Sequence, residues 1–204
     1  MDQSEFPTKG NLIRIQHTLA LAYQGYMLLD QKRNVLIREL SSFEKQLTVK
    51  YDQLNEALET ALTCLMSANI QIGTKQVEAA ASHAALENSI QIQNRSIMGV
   101  ELPIVKYADC PANRPHYSLA DTAVALDEAY IHFTEVKKII AALAETENTV
   151  YRLNASIRKT LKRANALQHI IIPKYESRLK FIQNVLEERE RDSFVRLKLK
   201  KKTH

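Results

Sequence analysis

Six histidines, two cysteines and a scatter of acids are the side chains in this sequence that could ligate a metal or act as nucleophiles. A metal site needs several donors converging at short spacing. His17, His83, His116, His132, His169 and His204 show no such spacing. Cys110 and His116 share the loop-like stretch "DCPANRPHYS" but supply only two donors. Cys64 and Cys110 read as free thiols, Cys64 at a core-like position. There is no glycine-rich phosphate loop and no nucleophile elbow. The sequence therefore nominates no catalytic, cofactor-binding or metal-binding residue.

What it does nominate is charge. In "RLNASIRKTLKR", residues 152–163, Arg152, Arg158, Lys159, Lys162 and Arg163 have no acid among them. This is either a solvated helix face or a basic stripe that meets acidic loops of a partner. A second group, Lys32, Arg33 and Arg38, lies in "LLDQKRNVLIREL". The partner-contact candidates are thus Lys32, Arg33, Arg38, Arg158, Lys159, Lys162 and Arg163.

Long helices must carry these cations. From Leu12 a seven-residue step lands on Leu19, Tyr26, Arg33, Leu40, Leu47, Leu54, Ala61 and Ala68. From Ile15 it lands on Ala22, Leu29, Leu36, Phe43, Lys50, Ala57 and Cys64. These are the a and d positions of a coiled coil, with Arg33 and Lys50 as polar breaks. A helix over about 11–70 would be roughly 85–90 Å long, with Thr8 or Asn11 as its N-cap. The helical period returns after Ser118, a credible N-cap. One stripe takes in Ala129, Phe133, Val136, Ile140 and Leu143, and continues through Val150, Leu153, Ile157, Leu161, Ala164 and Ile171 to Tyr175, Leu179, Ile182 and Leu186. Pro173 stands inside this pattern, in "NALQHIIIPKYESRL". Because the spacing resumes beyond it, a bent but continuous helix is expected, kinked between about 168 and 174.

Between the helices the composition changes. "AAASHAALENS" fits a short helix or a loop, and "SIQIQ" and "VELPIV" alternate like strands around "NRSIMG", which predicts a β-hairpin. The organisation expected is a long helix over 1–70, an insert over 71–117 with the hairpin, and a second long helix with a basic tail over 118–204. The fold class is mainly α, with two very long helices in an antiparallel coiled coil, because neither apolar stripe can be buried alone.

The net charge of +5 is modest and mostly interleaved, without a recognition helix, zinc cluster or aromatic stacking pattern that would call for nucleic acid. No apolar run approaches the ~20 residues needed to span a bilayer, so no membrane insertion is expected. The first residues, "MDQSEFPTKG", show no secretory h-region.

Several segments together resemble the D subunit of the vacuolar/archaeal-type rotary ATPases. These are "FPTKGNLIRIQHTLALAYQGYMLLDQKRNVLIREL", "IMGVELP" and "NALQHIIIPKYESRLKFIQNVLEERERDSFVRLK". The most specific features are Pro7-Thr8, Lys32-Arg33 with Leu36, Met98-Gly99-Val100 with Pro103, Asn165-Ala166-Leu167 with Ile172-Pro173, and the run from Glu188 to Arg191 with Phe194 and Arg196-Leu197-Lys198. Asp30 departs from the pattern, standing where a basic residue would be expected. The resemblance implies a non-catalytic central stalk that transmits torque between a catalytic ring and an ion-translocating membrane rotor, in ATP hydrolysis or synthesis. It implies partners: the alternating catalytic and non-catalytic ring subunits, which hold the nucleotide sites, a small F subunit of the central stalk, and a funnel-shaped adaptor to the rotor. It implies a cytoplasmic place, peripheral to the membrane, and no cofactor. From periodicity alone, a generic coiled-coil scaffold or tether and a nucleic-acid-binding coiled coil stay open as alternatives.

Overall fold

The structure is a computed structural model that describes residues 6–82, 90–107 and 123–202. Its elements run α1 (Lys9–Ile72), α2 (Thr74–Ser82), β1 (Ile90–Ile97), β2 (Val100–Tyr107), α3 (Val124–Ala166), a π-helical turn (Leu167–Ile171) and α4 (Ile172–Lys202). Ser118, Cys110, His83, His116 and His204 lie outside the described residues. Two compact units divide the chain: Met1–Val35 with Ile157–His204, and Leu36–Ser156.

α1 starts on a side-chain cap. The Asn11 N–H donates to Thr8 Oγ1 at 3.2 Å, and Asn11 Nδ2 donates to the Phe6 carbonyl at 2.8 Å. This occupies one of the amides that a helix start leaves unpaired. α1 stops at Gly73, whose φ of +94° belongs to the left-handed region that glycine enters without strain. The Gly73 N–H closes on the Asn69 carbonyl at 3.1 Å. Every a and d residue of α1 is buried or half-buried, including both polar breaks.

In the first unit, α1 and the C-terminal helices run antiparallel. Lys9 Nζ meets Glu190 at 2.9 Å, and Tyr23 donates to Glu176. The Arg189 guanidinium donates to the Pro7 carbonyl at 3.1 Å. Ile15, Ala22, Ala164, Ile172 and Ile182 are its buried apolar residues.

In the second unit, α1 and α3 are also antiparallel. Lys50 meets Ala142 and Thr146, while Ala68 packs with Ala125 and Leu126, joined by Ile72 and by Val77 and Ala80 of α2. The α3 seam differs from the sequence stripe at two places. Ile140 and Leu161 are exposed (48% and 39%), and their neighbours Ile139 and Thr160 turn inward instead. A one-residue change of phase is about 100° on a helix. Apolar character alone cannot choose between Ile139 and Ile140. Thr146, Thr149 and Thr160 are buried polar members of the seam.

The hairpin is tighter than its sequence suggests. "NRSI" belongs to β1, and only Met98 and Gly99 form the turn. Both have positive φ, 51° and 74°, the two-residue turn whose twist matches paired strands. Ile97 pairs with Val100 and Ile90 with Tyr107. Counting outward from such a turn, Glu101, Pro103 and Val105 direct their backbone polar groups away from β1. Pro103 has no N–H to lose there. Two of the outward groups are taken by α3: the Val105 N–H donates to Glu145 Oε2 at 2.9 Å, and Arg152 donates to the Glu101 carbonyl at 3.0 Å. Leu102 is fully buried beneath, and Arg95 lies over the Phe43 ring at 5.9 Å.

Candidate functional site: the exposed cations of the long helices

Arg158, Lys159, Lys162 and Arg163 lie at i, i+4 spacings on α3, so they share one flank of the helix. All four are exposed. None has an ion-pair or hydrogen-bond partner among the described residues. The fifth cation of that stretch, Arg152, holds β2 by its edge and is a structural residue.

The α1 group is divided. Lys32 is half-buried and Arg38 exposed, and neither has a partner among the described residues. Arg33, on the seam, is held within its own helix. Its guanidinium pairs with Asp30 at 2.5 Å and donates to Asn34 Oδ1 at 3.4 Å, while Asn34 Nδ2 donates back to Asp30 at 3.4 Å. Asp30, the departure in the sequence pattern, therefore neutralises the charge that the seam would otherwise half-bury.

Lys50 is the second polar break, and sequence reasoning left it without a partner. Its ammonium donates to Thr146 Oγ1 at 2.7 Å and to the Ala142 carbonyl at 3.0 Å. Thr146 in turn donates to Ala142 O at 2.9 Å. A polar residue at an a or d position with one matching partner fixes the register of two helices. The signal that could have found it is a threonine in the opposite seam.

Pro173 is the second residue of α4, but helix precedes it directly, so its missing N–H leaves a gap in the helix's own bonding rather than at a free end. The chain stays helical through it, and the distortion lies just before it as the π turn, whose closing bond runs from the Ile172 N–H to the Leu167 carbonyl. Gly25 faces this turn, its missing Cβ 3.9 Å from Leu167 Cδ1.

The electrostatics are those of an open surface. Glu190 holds the Lys9 ammonium above its ordinary pKa, chiefly through their hydrogen bond, and Lys9 draws the Glu190 carboxyl below its own. The hydrogen bond to Glu176 raises the Tyr23 phenol. His132 stands 3.8 Å from Glu135 on the same helix. Among the described residues no group of three metal-ligating side chains converges. No described helix is long and apolar enough to cross a membrane. The arrangement presents charge on open helix faces.

A protein-family model for the D subunit of ATP synthase matches residues 11–202. The chain belongs to this ATP synthase D-subunit family. It is 40% identical over 192 residues to the V-type ATP synthase D subunit of Thermotoga neapolitana, covering 94% of each chain. It is 36% identical to the A-type ATP synthase D subunit of Methanopyrus kandleri, over 94% of this chain and 83% of that one. The A-type ATP synthase D subunit of Pyrococcus horikoshii is 33% identical, over 94% and 91%. The matched span takes in nearly all of both long helices, the hairpin and all seven partner-contact candidates.

Proposed function

We propose that this chain is the central-stalk component of a V/A-type rotary ATPase and carries torque between the catalytic ring and the ion-translocating membrane rotor. The observation that carries the proposal is the D-subunit match over 11–202, which leaves almost no part of the chain for another role. Its partners are then the catalytic and non-catalytic ring subunits, a small F subunit and a funnel-shaped adaptor. The nucleotide sites lie on the ring, and this chain is non-catalytic. It works in the cytoplasm, at the membrane but not in it.

The physical role follows from symmetry. A ring of identical catalytic interfaces has no reason to hold them in different states. A pair of antiparallel helices lacks three-fold symmetry and presents a different face to each interface. Its orientation shifts each interface between open and closed by differential contact energy. Coupling of this kind is reciprocal, so hydrolysis can turn the stalk and a turned stalk can drive synthesis.

Arg158, Lys159, Lys162 and Arg163 meet acidic ring loops in turn. Four exposed cations without a partner among the described residues favour this reading. Each such pair is worth about 0.2–1 kcal/mol in water, strong enough to bias an orientation and weak enough to release it. Lys32, Arg33 and Arg38 are lesser candidates, Arg33 least because Asp30 already engages it. Reversing all four α3 cations to glutamate, then measuring assembly, ATPase rate and rotation in the reconstituted complex, tests this. Loss of torque or assembly, partly mimicked by high salt in the unaltered complex, is the expected result. Unchanged coupling would remove these residues from the mechanism.

A further inference from the structure

The seam of the C-terminal helices contains an irregular step. The seam runs Ile157, Thr160, Ala164 and Leu167, then Ile172, Tyr175, Leu179, Ile182 and Leu186; Ile171, the residue of the sequence stripe, is only half-buried, and its neighbour Ile172 takes the buried place. The spacing alternates threes and fours everywhere except from Leu167 to Ile172, which is a step of five. A regular α-helix would answer with a phase error of about 100°. Lys174 and Phe181 would then occupy the seam, and Ile172 and Ile182 would leave it. In the structure Phe181 is 59% exposed, while Ile172 and Ile182 are 6% and 2%. The correction occurs at the step itself: the π turn spans Leu167–Ile171, and its i→i+5 bond joins Leu167 and Ile172.

We propose that this π turn is a phase joint demanded by one extra residue in the seam, and that Pro173 is its stop rather than its cause. Moving the joint toward the N-terminus would carry Asn165 and Gln168 inward in place of Ala164 and Leu167, which buries amides. Moving it toward the C-terminus would put regular α-helix, in place of the π turn, directly before Pro173, where its ring meets the preceding turn. The joint is held from both sides. π turns of this kind are single-turn insertions within α-helices. Here the insertion decides which face of α4 points outward.

The chain has no tryptophan, so Phe181→Trp provides a single reporter of that face. In the full chain its emission should be that of an exposed indole and should stay so when Pro173→Ala is added, because the five-residue step remains. A blue shift of the indole emission on adding Pro173→Ala would show that the proline makes the turn and would overturn the proposal. Deleting His169 in the Pro173→Ala background removes the extra residue. That variant should fold with an uninterrupted helix, a melting temperature no lower than Pro173→Ala alone, and unchanged emission. A lower melting temperature with shifted emission would also overturn it.

Discussion

The Lys50–Thr146 contact allows a sharp test of how the two helices of the second unit find their register. Thr146 is 3% exposed and supplies the 2.7 Å acceptor for the ammonium. Thr146→Val keeps the shape and removes that acceptor. Hydrogen bonds to a charged group contribute about 1.5–3 kcal/mol. Lys50 is only half-buried and keeps the Ala142 carbonyl, so water recovers part of the loss, and about 1–2 kcal/mol is expected. The hydroxyl's bond to its own helix adds little, because that carbonyl already serves the backbone. Lys50→Met removes the charge together with its desolvation, and a methionine fills the seam. Its effect should lie within about 1 kcal/mol of zero, in either direction. In the Lys50→Met background, Thr146→Val should cost under about 0.5 kcal/mol, giving a coupling of roughly 1–2 kcal/mol in the double-mutant cycle. For a chain of this length, 1 kcal/mol is about 2–4 °C in melting temperature, readable by far-UV circular dichroism. Equal costs of Thr146→Val in both backgrounds would refute the pairing. A loss above about 3 kcal/mol for Lys50→Met would refute the claim that this lysine sets register rather than stability.

Three further outcomes follow from single contacts. Gly25→Ala places a methyl 3.9 Å from Leu167 Cδ1, ordinary contact, so the helix should gain about 1 kcal/mol from propensity; a destabilised variant would mean the π turn needs closer approach. Met98→Asn puts a residue that tolerates positive φ at 51° and should strengthen the hairpin by about 1 kcal/mol, read as slower amide exchange across β1 and β2. The Lys9–Glu190 pair has a definite pH window. The Glu190 carboxyl is depressed from 4.5, so its contribution is present above that value and fades as pH falls through the folded pKa. The Lys9 ammonium is raised from 10.5, so its contribution is present below that value and fades as pH rises through the folded pKa. The stability difference between the parent and Glu190→Gln should therefore appear between these limits, vanish outside them, and shrink with added salt.

Much of this architecture could be read in the residues themselves, and the parts that could not have physical reasons. The α1 seam was legible because its heptads are filled by leucine, alanine and isoleucine, and even Arg33 and Lys50 fell in phase. The second stripe went astray at Ile140 and Leu161. Ile139 and Ile140 are equally apolar, and Thr160 reads as polar although a buried threonine can satisfy its hydroxyl within its own helix. β1 was underestimated because Asn94, Arg95 and Ser96 look like loop residues. On an exposed edge strand, polar side chains carry no penalty. The distortion before Pro173 was foreseen only as a bend. Its form lay in the five-residue step, which a proline draws the eye away from. The cations were visible by composition, but which of them are engaged was not. Arg152 finds its partner through the hairpin edge, which charge spacing does not show, whereas Arg33 pairs with Asp30 at the i, i+3 spacing that the sequence contains.

Whether this chain turns is decided by watching it. A bead fixed to a cysteine placed on it, in a reconstituted complex anchored through its ring, should rotate in one direction on addition of ATP and stop when ATP is removed. A complex that contains the chain and hydrolyses ATP at the normal rate while the bead stays still would contradict its role as the rotor.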